Sequence, residues 1–170
     1  METPLEILKA FYEKVDRMAQ TLEALNKDRL HCRAGCADCC LDGITVFEVE
    51  ADYIRQTAPE ILKQQPHPKG KCAFLDENNL CRIYPFRPYV CRTQGLPLRW
   101  FEYNESGIKV EYRDICPLNE QGPDIRFLED RYFWEIGPFE QELADMQQKY
   151  KNGRMKRIQL RELFYADHPV

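Results

Sequence analysis

The chain of 170 residues contains no run of about 18 apolar residues, the length a membrane-spanning helix requires, so none is expected. It has no excess of basic charge either. With 24 Lys and Arg against 28 Asp and Glu the net charge is −4, which argues against a nucleic-acid partner, because phosphate contacts want a basic face. Histidine is scarce, at three residues. There is no Ser/His/Asp arrangement, no phosphate-cradling glycine loop, no dinucleotide fingerprint and no HExxH, so the common hydrolytic and nucleotide-dependent chemistries have no foothold. Internal repeats and low-complexity tracts are missing as well. The first residues, Met-Glu-Thr-Pro, lack a basic stretch followed by a short apolar core, so no secretory signal is expected and a reducing cytoplasm is the expected compartment.

Against these absences stand eight cysteines. A chain of this size can be stabilised by its hydrophobic core, so disulfides are not needed on size grounds. In a reducing compartment that many thiols are better read as ligands or redox groups. Cys32, Cys36, Cys39 and Cys40 are spaced i, i+4, i+7 and i+8, so even a helical backbone would bring all four to one face. The CxxC step can aim two thiolates at one ion. Adjacent Cys39 and Cys40 cannot bridge each other without a strained peptide.

Cys72 and Cys81 fall in two short predicted strands, Cys72 to Leu75 and Leu80 to Tyr84, joined by the turn Asp76-Glu77-Asn78-Asn79. An even turn sets Phe74 opposite Cys81 and leaves Cys72 diagonal to it, a separation of about 7–8 Å that suits two ligands converging on one site. Cys91 follows Pro88, which is suited to open a helical turn near a thiolate. Cys116 lies beyond the second hairpin and is the eighth candidate ligand. Between His67 and Arg99 six basic residues (Lys69, Lys71, Arg82, Arg87, Arg92 and Arg99) face two acidic ones (Asp76 and Glu77), a balance that offsets thiolate charge. His31, His67 and His168 are weaker ligand candidates than any of the thiols.

Around this centre the pattern is helical at both ends. Residues 4 to 30 carry an apolar stripe of Leu8, Phe11, Tyr12, Val15, Met18, Ala19, Leu22 and Leu25, opened by a Thr3/Glu6 capping box with Pro4 in the first turn. Glu48 to Thr57 reads as a helix that stops before Pro59. The acidic run Asp42, Glu48, Glu50 and Asp52 reads as its polar face. A second hairpin is predicted from Leu98 to Tyr103 and Ile108 to Arg113, its second strand half-buried by alternation. Phe139, Leu143, Met146 and Tyr150 share a helix face with Gly153 as its C-cap, and Ile158, Leu160, Leu163 and Phe164 suggest a last short helix. Phe127, Tyr132, Phe133 and Trp134 are expected to fill the core. The expected fold is therefore α+β in a single domain, residues 1–170. It has a cysteine-rich metal-binding core at 31–116 with short β-hairpins, and helical flanks at 1–30 and 124–170 form a frame around it.

The run Cys36-x2-Cys39-Cys40, Cys72-Ala73-Phe74-Leu75 and Cys81-Arg82-Ile83-Tyr84-x2-Arg87-Pro88-x2-Cys91-Arg92 resembles the YkgJ-type CxxCxxCC family, described as zinc- or iron-chelating. The resemblance covers roughly residues 32 to 92, and its first gap, Cys32 to Cys36, is three residues where the family name has two. It implies a metal ion as partner and zinc or iron as cofactor, bound by thiolates, with an iron–sulfur cluster as one form. Tyr84, Arg87 and Arg92 are then expected to support the thiolates by hydrogen bonding. The cysteine cluster is also similar to that of flagellin lysine methylases, which keeps an iron–sulfur redox or methyl-transfer enzyme as an alternative. A zinc-stabilised protein-interaction module is the second alternative. The sequence names no protein partner and no substrate.

Overall fold

A computed structural model describes residues 2–165, and over them the chain is α+β, with five α-helices and five short strands. The residues pack as two units. The first comprises the chain up to Lys9, Arg33–Pro88 and the stretch from Ala144 on; the second comprises Ala10–Cys32 and Tyr89–Leu143.

Helix α1, Pro4–Leu25, begins as its capping box requires. The Thr3 N–H and hydroxyl both donate to Glu6 Oε2, at 2.7 and 2.9 Å, and the Glu6 N–H returns to Thr3 Oγ1. Leu8, Phe11, Tyr12, Val15 and Ala19 are buried, whereas Met18 and Leu25 at the edge of the stripe are exposed. The helix stops five residues short of the expected end. The Asn26 side chain donates to Leu22 O at 2.9 Å and to Tyr132 O at 3.0 Å, the local competition with the helical ladder that makes asparagine a poor interior residue.

In the first unit, β1 (Thr45–Phe47) pairs antiparallel with β5 (Arg157–Gln159), setting Val46 opposite Ile158. Ile158 thus lies in a strand, and only Leu160–Phe164 winds into the expected terminal helix, as a 3₁₀ segment. Helix α2, Glu48–Thr57, has the predicted limits, and α3, Pro59–Leu62, restarts at the proline. The acidic run is not a solvated face. Glu48 and Glu50 are buried, because Glu50 accepts the Phe47 N–H at 3.2 Å and Glu48 pairs with Arg154 at 3.2 Å. Val46, Ile54, Leu62, Phe74, Leu75, Ile83, Ile158, Leu160 and Leu163 form the core, with Cys72 in it and Cys40 and Cys81 against it.

The sequence Asp76-Glu77-Asn78-Asn79-Leu80 makes a five-residue loop rather than a four-residue turn. Asp76 Oδ1 accepts the N–H groups of Asn78 and Leu80, both at 2.8 Å, and Asn79 takes φ 59°. The odd length moves the register by one, so Leu75 rather than Phe74 faces Cys81, and the pairing is a single bridge instead of two strands. Cys72 closes a turn with Leu75, and Pro85 offers no N–H, so neither side extends.

In the second unit the same loop design recurs at Asn104-Glu105-Ser106-Gly107-Ile108, where Asn104 Oδ1 accepts from Ser106 and Ile108. Here it joins six-residue strands β2 (Leu98–Tyr103) and β3 (Lys109–Asp114), with β4 (Trp134–Glu135) adding in parallel to β2. The hairpin is where it was expected, but its second strand is not half-buried: Ile108 and Tyr112 are exposed. Trp134 is buried among Phe11, Tyr89 and Phe139, with its indole N–H on Tyr89 OH at 2.9 Å. Helix α4 (Tyr89–Arg92) carries Cys91, and α5 (Ile136–Lys149) buries Phe139 and Leu143. Phe127, expected in the core, is 83% exposed. Its segment is held instead through its backbone, where Arg113 Nη1 donates to Ile125 O and Leu128 O. Among the described residues no helix is long and apolar enough to cross a membrane.

Candidate metal centre

Residues 31–40 are not helical. Two consecutive tight turns present the cysteines instead, closed by Cys36 N–H to Arg33 O at 2.9 Å and Cys40 N–H to Ala37 O at 3.1 Å. Gly35 takes φ 84° at the third position of the first turn, a conformation that favours glycine. All eight cysteines carry a thiol and none is drawn into a disulfide.

Five of them, Cys36, Cys39, Cys40, Cys72 and Cys81, belong to the first unit. Cys39 and Cys40 hydrogen-bond through their sulfurs. That bond, followed by burial and by the charge of Cys40, pushes the Cys39 thiol far above its ordinary range. Two thiols so placed resist ionising unless a cation takes up the charge. The segment is joined to the next pair by the Cys72 N–H, which donates to Cys40 O at 2.9 Å.

Cys81 lies close enough to Cys72 for its charge to act on the Cys72 thiol, which the turn at Cys72 achieves without the expected strand diagonal. Burial pushes both thiols up. Against it, each sulfur accepts a backbone N–H two residues on, Phe74 for Cys72 and Ile83 for Cys81. Such bonds favour the ionised sulfur. Positive charge adds to this: Arg161 acts on Cys72, and Arg87 and Arg82 act on Cys81.

Arg161 was not singled out from the sequence. Its side chain is 9% exposed and pairs with Asp42; it also donates to His67 O at 2.7 Å, Pro68 O at 3.2 Å and Lys71 O at 2.8 Å. It fastens the loop that enters Cys72. Asp42 accepts the Gly70 N–H at 3.0 Å from the same loop, and Lys71 Nζ reaches Ala37 O at 3.0 Å beside the cysteine turns.

Cys32, Cys91 and Cys116 belong to the second unit. Cys116 precedes the 3₁₀ turn Pro117–Asn119, and the Asn119 N–H returns to Cys116 O at 2.7 Å. Asn119 Nδ2 lies 3.2 Å from Cys32 Sγ, a contact that no spacing rule signals.

Of the predicted supporting residues, Arg87 covers the ring of exposed Tyr84 at 4.1 Å and also acts on Cys81. Arg92, within the second unit, is buried, pairs with Asp16 at 2.6 Å and lies over the Tyr12 ring at 4.0 Å. The His67 ring contacts Pro68 O, the His31 N–H is bonded to Asn119, and His168 lies outside the described residues. Among the described residues no three His, Cys, Asp or Glu side chains are grouped so as to hold an ion as they stand. Two thiol pairs stand out, Cys39 with Cys40 and Cys72 with Cys81, and the second, sulfur with N–H and guanidinium support, has the chemistry that suits a thiophilic metal.

Residues 31–117 match the model of the family CxxCxxCC, whose description is "Putative zinc- or iron-chelating domain". No curated protein and no solved structure matches the chain.

Proposed function

The chain belongs to the CxxCxxCC family of zinc- or iron-chelating domains, and from that premise we propose that it holds the metal through its cysteine thiolates. Cys36, Cys39, Cys40, Cys72 and Cys81 supply one pool of ligands and Cys32, Cys91 and Cys116 another. The observation that carries this reading is the paired N–H support at Cys72 and Cys81. Both sulfurs are desolvated, which disfavours the thiolate, yet each meets a backbone donor and nearby guanidinium charge. A merely buried thiol behaves as a small hydrophobe and has no use for that arrangement. A bound cation supplies the missing positive charge, at Cys39 and Cys40 above all, and its binding energy becomes part of folding.

Arg82, Arg87 and Arg161 offset the negative charge that a multi-thiolate site retains. Arg87 and Tyr84 stack as one unit, so the predicted supporting role falls on Arg87 more directly than on Tyr84. Zinc and iron–sulfur clusters both use thiolates, and the spectrum distinguishes them.

The test is elemental analysis with a visible absorption spectrum on protein purified without oxygen. Colourless protein with zinc in stoichiometric amount supports a zinc chelator. Brown protein with iron and sulfide supports a cluster and the redox alternative. Protein that holds neither metal, and takes up neither on anaerobic reconstitution, overturns the reading.

A further inference from the structure

Asn119 is fully buried, and both polar atoms of its amide find partners in one orientation. Oδ1 accepts the His31 N–H at 2.7 Å. Nδ2 donates to Gly95 O at 2.8 Å and lies 3.2 Å from Cys32 Sγ. The reverse orientation would set the amide nitrogen against an N–H and the amide oxygen against a carbonyl, so the donor is obliged to face the sulfur.

The other side of that sulfur is shaped by Gly95. Its φ is 94°, and a Cβ there would lie 2.6 Å from Cys32 Sγ. The sulfur is therefore seated against a bare Cα while Cys32 itself stays exposed to solvent. A thiol that only fills space does not need a buried amide donor. A metal-bound thiolate does gain from one, because it retains negative charge that an N–H stabilises.

We propose that Cys32 is a metal ligand and that Asn119 is its positioning residue, fixing the sulfur and tuning its charge through the Nδ2–H to sulfur bond. This rests on the metal-binding reading above. It adds to that reading a supporting role for a residue beyond the matched stretch.

The test uses the full chain, stripped of metal and titrated anaerobically with cadmium, whose sulfur-to-metal absorption grows with each bound thiolate. Cys32→Ala, at an exposed site, is expected to lower the saturated absorption by one thiolate's share. Asn119→Asp keeps the size and the His31 bond but turns an oxygen toward the sulfur; it is expected to weaken cadmium binding about 10-fold or more. In a Cys32→Ala background the same change is expected to do much less, because its target is gone. Should Asn119→Asp not fold, Gly95→Ala displaces the sulfur, its Cβ lying 2.6 Å from Cys32 Sγ and 3.4 Å from Asn119 Nδ2, and is expected to weaken cadmium binding likewise, again only while Cys32 is present.

Unchanged absorption in Cys32→Ala overturns the proposal, and so does an Asn119→Asp effect that persists without Cys32. In either case a wild-type band leaves the metal-binding reading standing. A wild type with no sulfur-to-cadmium band removes both.

Discussion

Arg161→Met is the substitution that best connects the packing of the first unit to its thiols. The side chain is 9% exposed, and three backbone carbonyls, those of His67, Pro68 and Lys71, accept from its guanidinium. Methionine fills the volume but donates nothing. At about 1 kcal/mol for each acceptor left without its donor, the loss is about 3 kcal/mol, with nothing added for the Asp42 pair. For a chain of this length that lowers Tm by roughly 6–12 °C. Arg161→Lys keeps the charge but not the planar fork, so it should fall between wild type and methionine. Urea unfolding of the metal-free chain gives the stability, and cadmium titration gives the consequence at Cys72, which loses both the Arg161 charge and its fastened loop. Binding weakened in the order wild type, lysine, methionine is expected. A methionine variant that loses less than about 1 kcal/mol, or a lysine variant equal to wild type, refutes the reasoning.

Cys72→Ser and Cys81→Ser should each lower the metal content of purified protein, checked by elemental analysis; unchanged content in both removes them from the ligand set. Asp52 gives a pH signature. Burial pushes its carboxyl up, but hydrogen bonds from Lys151, Tyr150 and Arg55 outweigh this and hold it below the ordinary value. A depressed carboxylate stabilises the fold above its unfolded pKa of about 3.9 and loses that contribution as pH falls further. Asp52→Asn should therefore flatten the acid limb of a stability-against-pH curve, measured by thermal melts from neutral to acid pH. Thr3→Ala should cost about 0.5–2 kcal/mol through the lost capping box, read by urea unfolding. Phe127→Ser should stay within about 0.5 kcal/mol of wild type in the same assay, because the ring is 83% exposed.

Where a local rule decided the structure, the sequence carried it. Pro59 ends α2 at Thr57 whatever the rest of the chain does, and Thr3 with Glu6 begins α1. The hairpin at Leu98–Tyr103 was legible because Asn104 and Gly107 make a recognisable turn between alternating strands. Where tertiary packing decided it, the sequence misled, as with a polar side chain whose buried partner is distant in sequence. Glu48 looks solvated until Arg154 claims it. Gln147 interrupts an apolar helix face, yet it is fully buried because it accepts from Val49 N at 3.0 Å and donates to Arg154 O at 2.6 Å. Phe127 fails in the opposite sense: an aromatic ring predicts burial, but Arg113 holds that segment by its carbonyls and leaves the ring outside.

The cysteines show how far a motif reaches into geometry. Spacing named the thiols, but it placed them on a helix face and a strand diagonal that the backbone does not form. One extra loop residue, allowed by the φ of 59° at Asn79, shifts Cys81 from Phe74 to Leu75. The N–H support of both sulfurs survives the shift because a Cys-x-x step needs only a turn that returns its own N–H to the sulfur, and Cys72-Ala73-Phe74 and Cys81-Arg82-Ile83 both make one. The motif therefore encodes a short-range bond that tolerates a change of register. The residues that complete the surroundings, Arg161 for Cys72 and Asn119 for Cys32, stand 89 and 87 positions away in the chain, where no spacing rule can reach them.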